Sequence, residues 1–554
     1  MHLSKMTAQS DALIIGSPRI GTTAAADAAI WQHAIALGIE HAARSASGDF
    51  AVGLKDATGN VALAVDRFAM RTMCWRMDAG QIRFAERADE LAGPAAELDP
   101  QAIYDYLFHH AIPSPRTIFK GVYRLPAGHC LSIEGGKPVV RPYWQPSFNE
   151  AARPRFDLLR EEFRSLLQNA VASQLDGGKP ACFLSGGTDS STIAGMIGLA
   201  AGRPAATYSI GFEAEGYDEM EFARLAARHF GTEHHEYYVT PADLVKSIPA
   251  VAASYDQPFG NSSALPAYYC ALMAHNDGVT RILAGDGGDE LFGGNHRYAK
   301  QRVFDLYGLL PARLRRSVLE PWLAHPGERS NRLMRKAASY VDQASRPMPG
   351  RMDAYNLLER LGVDEVLTPD FIAQIDRSSP GRQQQAIWDG PVAHDSVNRH
   401  LAFDWRYTLA ESDLPKVRGT AELAGVAVGF PMLDQALVDF SMRLPGSYKL
   451  KGQQLRWFFK EALRGFLPDQ IIAKKKQGFG LPFGVWATRD TALKKLATDS
   501  LHALADRGVV QRRFVTQLID DYLPAHPGYY GEMVWILMML EQWLLANAPS
   551  FTLK

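Results

Sequence analysis

The sequence predicts an α/β protein, with a β-rich α+β domain over residues 1–150 and a doubly wound parallel-sheet domain over residues 151–554. Between Gly48 and Trp144, short runs that alternate apolar and polar residues are separated by Gly and Asn turns, as is typical of antiparallel sheets. Beyond Arg155, predicted strands and helices alternate, as they do in parallel sheets. The length of 554 residues also favours more than one domain.

The composition is that of a globular protein without a preference for polyanions. Lys and Arg total 59 against 60 acidic residues, a net charge of −1, so we expect no nucleic-acid and no membrane partner. The apolar stretch at residues 12–15 is too short for a signal peptide. The cysteines lack CxxC spacing, which predicts neither a disulfide framework nor a zinc site and fits a reducing, cytoplasmic location. They are Cys74, Cys130, Cys182 and Cys270.

The elements of the second domain follow in order. A helix is predicted from Phe156 onwards, because apolar residues recur there at helical spacing. The next elements are strand 181–184, helix 192–201, strand 206–210, helix 218–230, strand 235–239, helix 264–274 and strand 279–284. Residues 533–540 are the most apolar segment, and Glu541 ends it too early for a membrane span, so we expect a buried C-terminal helix. This alternation predicts a ligand site at the carboxyl ends of the strands.

Residues 181–191, ACFLSGGTDSS, predict a nucleotide site. The apolar start suits a strand buried on both faces, and Gly186 and Gly187 allow a close turn with positive φ. Asp189 and Ser190 then precede a helix, whose N-terminus attracts anions through free N–H groups and the helix dipole. We therefore predict that this loop binds phosphate and that Asp189 holds Mg²⁺. A glycine turn followed by an ordinary helix cap is the alternative.

The string SGGTDSS resembles the SGGxDS(S) signature of the ATP pyrophosphatase family, whose members release AMP and pyrophosphate while they adenylate a substrate. It lacks the Gly-Lys-Ser/Thr ending of kinase-type P-loops. Further segments resemble asparagine synthetases, in the expected order: YSIGFEAEGYDEMEFARLAARHFGTEHHEYYV, DQPFGNSSALPAY, LAGDGGDELFGGNHRY and KKKQGFGLPFGVW. The resemblance covers roughly residues 48–546 and implies an asparagine synthetase-like domain that binds ATP and Mg²⁺.

The first domain resembles the second half of the amide-transfer domain of glutamine-dependent asparagine synthetases. The segments that carry this resemblance are GDFAVGLKD, AVDRFAMRTM, RFAERADEL, PSPRTIFKGVYRLPAGH and RPYW. In that family a cysteine directly after the initiator Met is the glutaminase nucleophile. Here His2 follows Met1 and the first cysteine is Cys74, so we expect a degenerate Ntn-glutaminase-like domain that lacks the nucleophilic cysteine.

The resemblance also implies roles for individual residues. Those it implies for ATP binding are Leu184, Ser185, Gly186, Gly187, Asp189, Ser190, Ile210, Ala284 and Gly285. Asp289 would share Mg²⁺ with Asp189, because carboxylates at two neighbouring strand ends can hold one hard cation; a solvated acidic turn is the alternative. Lys476 would stabilise charge on the adenylate, with Lys474 and Lys475 as adjacent rivals.

Acidic residues are the candidates for handling the acceptor amine. Asp286 falls where the family has an acidic or phenolic group beside the acyl adenylate, so we expect it to steer or deprotonate the amine, with Glu290 in support. Glu411 and Asp413 are further candidates near the acceptor, and a role at the surface is their alternative.

The acceptor segment departs from the family pattern. Ala427 and Gly429 stand where asparagine synthetases usually carry Glu-x-Arg, and Asn261 stands where a relative often has Asp. The loss of charge predicts that free aspartate is not bound in the usual way. Drift at structural positions is the alternative.

Activation by ATP without a glutaminase makes the substrate itself the simplest source of the amine. An α-amino group, with a pKa of about 7.7 to 8.0, is partly neutral near pH 7, and its orientation against an adenylate lowers the barrier by up to about 7–11 kcal/mol. Two glutaminase-deficient branches of the family follow this logic, the lasso-peptide cyclases and the β-lactam synthetases. We favour macrolactam (isopeptide) cyclisation of a lasso peptide, because β-lactam synthetases typically carry Tyr where this chain has Asp286.

Other functions remain open at this point. An asparagine synthetase-like ligase would amidate a small acid with free ammonia, and β-lactam synthetase-like ring closure is a further possibility. A non-catalytic relative is disfavoured by the intact Asp189, Asp289 and Lys476. As partners we expect a peptide or small-molecule carboxylate substrate and, in a lasso pathway, a leader-peptide-binding protein and a protease.

Overall fold

The computed structural model of the chain describes residues 11–21, 26–57, 59–93, 96–150, 155–308, 310–323, 332–475 and 480–553. The α/β fold predicted from the sequence is confirmed: an antiparallel, strand-rich part comes first and a parallel sheet follows. No helix within these ranges is long and apolar enough to cross a membrane. The boundary predicted between residues 150 and 151 adjoins the undescribed residues 151–154 and stays a prediction.

The first domain is organised around two antiparallel sheets. Its strands are β1 (Ala12–Gly16), β2 (Arg19–Ile20), β3 (Ala46–Ser47), β4 (Phe50–Lys55), β5 (Val61–Val65), β6 (Cys74–Asp78), β7 (Gln81–Ala85), β8 (Val122–Arg124), β9 (His129–Glu134) and β10 (Lys137–Pro142). Its helices are α1 (Ala28–Ile35), α2 (Ile39–Ser45), α3 (Ala88–Ala92) and α4 (Pro100–His109). The strand orders are β1-β4-β5-β9-β10 and β7-β6-β8, and β2 pairs with β3. The larger sheet is buried on both faces, because Phe50 and Val52 enter one apolar cluster while Ala51 enters another.

The second domain contains a parallel sheet surrounded by helices. Its strands are β11 (Ala181–Phe183), β12 (Ala206–Phe212), β13 (Glu233–Val239), β14 (Arg281–Leu283), β15 (Ala427–Gly429), β16 (Leu450–Lys451) and β17 (Gln454–Leu455). Its α-helices are α5 (Phe156–Ala172), α6 (Thr188–Ala201), α7 (Met220–Phe230), α8 (Pro241–Ser254), α9 (Ala264–Asn276), α10 (Gly288–Phe292), α11 (His296–Gly308), α12 (Ala312–Leu314), α13 (Glu320–Leu323), α14 (Arg332–Ser345), α15 (Leu357–Leu361), α16 (Val363–Val366), α17 (Pro369–Ile372), α18 (Ser379–Asp389), α19 (Ser396–Asp404), α20 (Leu414–Leu423), α21 (Gln435–Arg443), α22 (Gly446–Lys449), α23 (Trp457–Ala462), α24 (Asp469–Ala473), α25 (Phe483–Ala487), α26 (Thr491–Asp506), α27 (Arg512–Gln517), α28 (Leu523–Ala525) and α29 (Pro527–Asn547). Segments of π-helix cover Arg315–Leu319, Trp405–Asp413 and Leu518–Tyr522, and 3₁₀ turns cover Met352–Tyr355 and Pro431–Leu433.

The parallel sheet places the ligand site. Its order is β13-β12-β11-β14-β15, and every neighbouring pair is parallel. The chain runs outwards from β11 in one direction and later resumes at β14 on its other side, so the topological switch lies between these two strands. In doubly wound sheets, ligands bind in the crevice outside the carboxyl ends at this switch. The loops that follow β11 and β14 contain SGGTDSS and GDGGDE, so both motifs reach the same crevice.

The two domains share one apolar core. Helix α4 of the first domain is buried along its whole length apart from its last residue, and the Tyr106 hydroxyl donates to the carbonyl oxygen of Ile536 in α29 at 2.8 Å. The ring of Phe119 lies 6.1 Å from that of Trp543, also in α29. Helix α29 is the C-terminal helix that the sequence predicts at residues 533–540, and it is buried as expected. The first domain is therefore packed onto the second domain rather than tethered to it.

Candidate active site

The loop between β11 and α6 has the geometry of an anion site. Gly186 has φ of +69°, and a Cβ there would collide with the backbone of Phe222 and Ala223, so this close turn requires glycine. The Ser185 N–H donates to the Ser190 hydroxyl at 3.1 Å, which closes the loop. Helix α6 begins at Thr188, four residues before the predicted start, because the sequence TDSS itself forms the first turn. The free N–H groups of a 14-residue helix therefore point towards the crevice.

Asp189 and Asp289, the predicted metal ligands, converge on one cationic group. The guanidinium of Arg456 donates through Nη1 to Asp189 Oδ1 at 2.7 Å and through Nη2 to Asp289. Arg456 has φ of +56°, an uncommon left-handed conformation for a side chain of this size, and its side chain is 6% exposed. The backbone at Gly288 lies very close to the Asp189 carboxylate, since a Cβ added at Gly288 would lie 2.5 Å from Asp189 Oδ1. Two carboxylates that already share one cation fit the donor set of a divalent-metal and phosphate site.

Arg456 is a residue of the site that the sequence did not predict. It is 267 residues away from Asp189 and follows the β16–β17 hairpin, and no recognisable motif surrounds it. The chain has 59 Lys and Arg residues, so a single arginine after a glycine turn does not by itself indicate a functional site.

Two cavities meet at residues 185–190, the loop and first helical turn after β11, which we call the phosphate loop. A cleft of about 580 Å³ opens on the side of Arg456, and a pocket of about 350 Å³ opens on the side of β12 and α9. Both are lined by Ser185, Asp189, Ser190 and Glu219. The loop therefore stands between a basic chamber and a mostly apolar one, as the polyphosphate and base ends of a nucleotide require.

The pocket of about 350 Å³ contains the predicted adenosine wall. Its apolar lining is Phe183, Leu184, Tyr208, Ile210, Met220, Ala223, Pro266, Ala267 and Cys270, and Gly285 lies at its edge. Ala284 and Gly186 stand just behind this surface. Ala284 is fully buried, with its N–H donating to the Gly429 carbonyl oxygen at 2.9 Å, and Gly186 packs against α7. The structure thus groups the predicted ATP residues around the two adjoining cavities: seven of the nine line one or both of them, and two support them from behind.

The opposite end of the same pocket has a lysine between two carboxylates. Lys416 Nζ lies 3.1 Å from Asp413 Oδ1 and 3.6 Å from Asp286 Oδ1. Burial raises the pKa of Asp286, an effect that Lys416 opposes and that Asp413 and Asp189 reinforce. Burial lowers the pKa of Lys416, but the two carboxylates outweigh it, so the pKa rises and the amine stays an ammonium. Asp286 therefore combines a raised pKa with a position beside the nucleotide pocket, as a base for an amine requires.

Two of the three lysines in KKKQGF line the cleft, and the third lies outside the described residues. Lys474 forms an ion pair with Glu219 at 3.0 Å, and Lys475 is exposed at the cleft. Lys476 lies outside the residues that the structure describes, as does His2. The catalytic role assigned to Lys476 stays a prediction.

Glu411 is placed outside both cavities. Its Oε1 accepts from the Ser114 hydroxyl at 2.7 Å and from Arg406, and its Oε2 accepts from Arg124 Nη2 at 2.6 Å. Burial would raise the pKa of Glu411, but the two guanidinium groups outweigh it and hold the pKa below its usual range. The structure therefore brings Asp413 and not Glu411 to the pocket of about 350 Å³, and Glu411 is buried rather than at the surface.

The departures in the acceptor segment lie mostly away from the cleft. Ala427 and Gly429 belong to the edge strand β15, and neither lines either of the two cavities, so their lack of charge does not change the pocket directly. Asn261 donates to the Ser412 hydroxyl at 3.1 Å. Ser412 directly precedes Asp413, so Asn261 contacts the helix that carries the acceptor-side charges, Asp413 and Lys416.

None of the four cysteines is placed as a nucleophile. All are buried free thiols, and burial raises the pKa of each, to about 11 for Cys130 and further for Cys74. A thiol attacks as its thiolate, which such surroundings disfavour. The sequence has these four cysteines, and the surroundings of each disfavour the thiolate.

Family models and known proteins match both parts of the chain. A family model described as asparagine synthase matches residues 162–545, and one described as a glutamine amidotransferase domain matches residues 21–144. Asparagine synthetase [glutamine-hydrolyzing] 1 of Bacillus subtilis is 22% identical over 514 residues, which cover 92% of this chain and 79% of that protein. A putative asparagine synthetase of Mycobacterium tuberculosis is 27% identical over 516 residues, 90% of this chain and 76% of its own. An amidase of Penicillium rubens is 23% identical over 477 residues, 79% and 70% of the two chains.

Proposed function

Because the chain belongs to the asparagine synthase family and is therefore an ATP-dependent amide-forming ligase, we propose that it adenylates a carboxylate and joins it to an amine carried by the same substrate. The substrate we favour is a peptide whose Asp or Glu side chain is joined to its own N-terminal amine, as in lasso-peptide macrolactam (isopeptide) formation. The observation that carries this proposal is the single pocket that runs from the apolar wall, past the phosphate loop, to Asp286, Lys416 and Asp413.

In the first half-reaction a carboxylate oxygen attacks the α-phosphorus of ATP and pyrophosphate leaves. The apolar wall around Leu184 and Ile210 binds adenine, and the first turn of α6 binds phosphate oxygens through backbone N–H groups. Arg456 faces the same cleft and offers charge-assisted hydrogen bonds to the departing pyrophosphate. These contacts favour the separation of charge that the displacement produces.

Magnesium is part of the proposal. The residues that would hold it are Asp189 and Asp289, whose carboxylates converge on one cation in the structure. When bound, Mg²⁺ supplies positive charge to the phosphate oxygens and so makes pyrophosphate a better leaving group.

In the second half-reaction the amine attacks the acyl carbon of the adenylate, AMP leaves and the amine loses one proton. Asp286 is the candidate to accept that proton, because its pKa is raised by burial while it faces the pocket. Lys416 keeps Asp286 and Asp413 close together despite their like charge. This end of the pocket contains two carboxylates, Asp286 and Asp413, and one ammonium group, Lys416. Its net negative charge favours the binding of a cationic amine over that of an anionic acceptor.

The amine is proposed to come from the substrate because all four cysteines are buried with raised pKa values. A leader-peptide-binding protein and a protease of the same pathway would then deliver the peptide with its amine free. Within this proposal the first domain has no ammonia to produce.

The test is an assay of the purified chain with ATP, Mg²⁺ and synthetic peptides that carry a free N-terminal amine and one Asp or Glu. We expect AMP, pyrophosphate and a product lighter than the peptide by one water. Nα-acetylated copies of the same peptides are the matched control, since they offer the carboxylate without the amine and should give no cyclic product.

The contrary outcomes separate the alternatives. AMP release that depends on ammonia and a small acid, without a peptide product, would indicate asparagine synthetase-like amidation, which the names of the relatives favour. Ring closure of a small β-amino acid would indicate β-lactam synthetase-like chemistry. Absence of AMP with every acid and every peptide tested would contradict carboxylate activation itself.

A further inference from the structure

A nine-residue π-helix stands between the two domains. It covers Trp405–Asp413 and continues into α20, which contains Lys416. Segments of π-helix are rare, and they occur frequently at functional sites because they redirect side chains relative to an α-helix. Here the irregular segment ends at Asp413, one of the two carboxylates beside Lys416.

One face of this π-helix is attached to the first domain. Ser114, which precedes β8, donates to Glu411 through both its backbone N–H at 3.2 Å and its hydroxyl at 2.7 Å. Arg124 of β8 donates to the other carboxylate oxygen at 2.6 Å. Arg406, one turn earlier in the same helix, donates to Glu411 and to the Ser114 hydroxyl, the latter at 2.6 Å. Both oxygens of Glu411 are thus occupied by groups that the first domain supplies or contacts.

The other face of the helix lines the pocket. Asp413 is two residues after Glu411, and residues two apart on a helix point to different sides. Asp413 and Lys416 line the pocket that also holds Asp286, while Glu411 does not. A rotation or shift of the helix about its axis would therefore move the acceptor-side charges and strain the Glu411 contacts at the same time.

The start of the helix is attached to α10, the short helix that follows the turn containing Asp286. The Trp405 indole N–H donates to the Glu290 carbonyl oxygen at 2.8 Å, and Phe68 of the first domain packs its ring 5.7 Å from that of Trp405. Just before it, Asp404 accepts from Arg297 at 2.9 Å. The start of the helix is thus held by both domains, and at its far end Glu411 is the contact to the first domain while Asn261 of the second domain contacts Ser412.

We propose that Glu411 is a positioning residue, through which the first domain fixes the rotation of the helix that presents Asp413 and Lys416 to the amine. This inference rests on the ligase function proposed above. It gives the first domain a task in a chain whose cysteines are all buried: the domain orients the amine-binding end of the pocket and leaves the phosphate end alone. Glu411 touches no substrate in this scheme, and it acts through Asp413 and Lys416.

The test compares two half-reactions in the full-length chain. Pyrophosphate exchange into ATP, supported by an Nα-acetylated peptide, reports adenylation alone, while cyclisation of the same peptide with a free amine reports both steps. The variants are Glu411→Gln, which removes the charge, and Ser114→Ala, which removes one hydroxyl and is the safer variant if loss of a buried charge impairs folding. Hydrogen–deuterium exchange of residues 405–416 is measured in parallel and needs no substrate.

A matched control exists within the synthetase domain. Arg507 and Glu541 form another buried ion pair, with Nε and Oε2 2.7 Å apart, which ties α26 to α29 instead of joining the domains. Glu541→Gln removes the same charge from a comparably buried pair, so any effect that it shares with Glu411→Gln reflects general destabilisation.

We expect both Glu411→Gln and Ser114→Ala to lower the cyclisation rate by about tenfold or more, because misplacement by about 1 Å can cost 10²-fold. Adenylation should change by less than about threefold in these variants, and hydrogen exchange at residues 405–416 should accelerate. Glu541→Gln should leave the ratio of the two rates and that exchange pattern unchanged.

Loss of both half-reactions in parallel, or unchanged cyclisation in both variants, would overturn the inference. A wild-type chain that forms no AMP with any peptide would instead contradict the proposed function. In that case hydrogen exchange still decides the anchoring role, since unchanged protection of residues 405–416 in both variants rules it out.

Discussion

Two clusters of buried charge lie on either side of one helix and have opposite designs. Around Glu411 the charges are sealed: the side chains of Glu411 and Arg124 are 7% and 11% exposed, and both carboxylate oxygens are occupied. Around Lys416 the charges are open to the pocket, and the side chains of Asp286 and Asp413 keep 23% and 26% of their surface. Both clusters pair carboxylates with cations, but only the second has hydrogen-bonding capacity left for a ligand.

The difference between the two clusters shows which buried charges are available for chemistry and which ones hold the structure together. A saturated pair in the interior repays its desolvation only while every partner is present, so the removal of one partner is costly to stability. A charge cluster at a pocket that has unused hydrogen-bonding capacity lowers stability somewhat, and a ligand supplies the missing hydrogen-bond partners when it binds. Variants of the open clusters should therefore reduce activity with little effect on folding, whereas variants of the sealed charges should also lower the free energy of unfolding.

The largest effect is expected at the phosphate end. Asp289→Asn should lower the rate of pyrophosphate exchange by about 10²–10³-fold, as the loss of a group that stabilises developing charge does. The free energy of unfolding should change little, because the lost ion pair with Arg456 is offset by the loss of repulsion from Asp189, which keeps the guanidinium paired. Exchange kinetics and urea unfolding measure the two quantities. Asp439→Asn, at a carboxylate paired with Arg67 outside the cleft, is the control and should leave exchange unchanged. A fall in stability without a loss of exchange would contradict the prediction.

Asp286→Asn should lower cyclisation by about 10²-fold or more while adenylation continues. Because burial raises the pKa of Asp286, the wild-type cyclisation rate should fall as pH decreases through that raised pKa, where the carboxylate becomes protonated and cannot act as a base. The groups that face it are Lys416, Asp413 and Asp189. The rate of cyclisation as a function of pH measures this. A variant that retains the wild-type acid limb would assign the limb to another group.

A smaller effect is expected at Lys449, a buried cation held by the Asn398 side-chain oxygen at 2.8 Å and by the ring of Phe148. Burial lowers its pKa from 10.5 to about 7, although Asp395 and Glu150 oppose this. Between pH 7 and about pH 10 the unfolded chain therefore binds more protons than the native one, so the free energy of unfolding should rise with pH, by up to about 1.4 kcal/mol per pH unit.

Lys449→Met should remove that rise, and urea unfolding at several pH values measures it. Lys451→Met, two residues later and exposed, is the control and should keep the wild-type slope. Equal slopes in wild type and Lys449→Met would show that Lys449 keeps an ordinary pKa in the folded protein.

The smallest effect is expected at the surface. Lys495 and Asp499 form an exposed i, i+4 pair on α26, 2.7 Å apart with 73% and 61% of their side chains exposed. Lys495→Ala should change the free energy of unfolding by less than about 0.5 kcal/mol, because water and salt screen such pairs. Urea unfolding at low and high salt measures it. A larger change would mean that distance alone, rather than burial, sets the value of an ion pair in this protein.

Much of the fold could be predicted from the sequence because it depends on local patterns. The apolar run before SGGTDSS predicted β11, and helix periodicity predicted α5 from Phe156 onwards. Boundaries were less accurate: α6 begins at Thr188 and not at residue 192, because the Asp and Ser residues that suggested a cap are instead held in the first turn. β12 extends to Phe212, two residues past the predicted end.

The sequence by itself determined the phosphate loop, the α/β class and the family, since each rests on residues that are adjacent in the chain or repeat at a fixed period. Only the tertiary structure decided which charges meet. Arg456 contacts Asp189 although 267 residues separate them, and Lys416 of α20 contacts Asp286 in the turn before α10. Glu411 faces the first domain while Asp413 faces the pocket. The physical reason is that the worth of a charge depends on its burial and partners, which arise from long-range packing and leave no local pattern in the sequence.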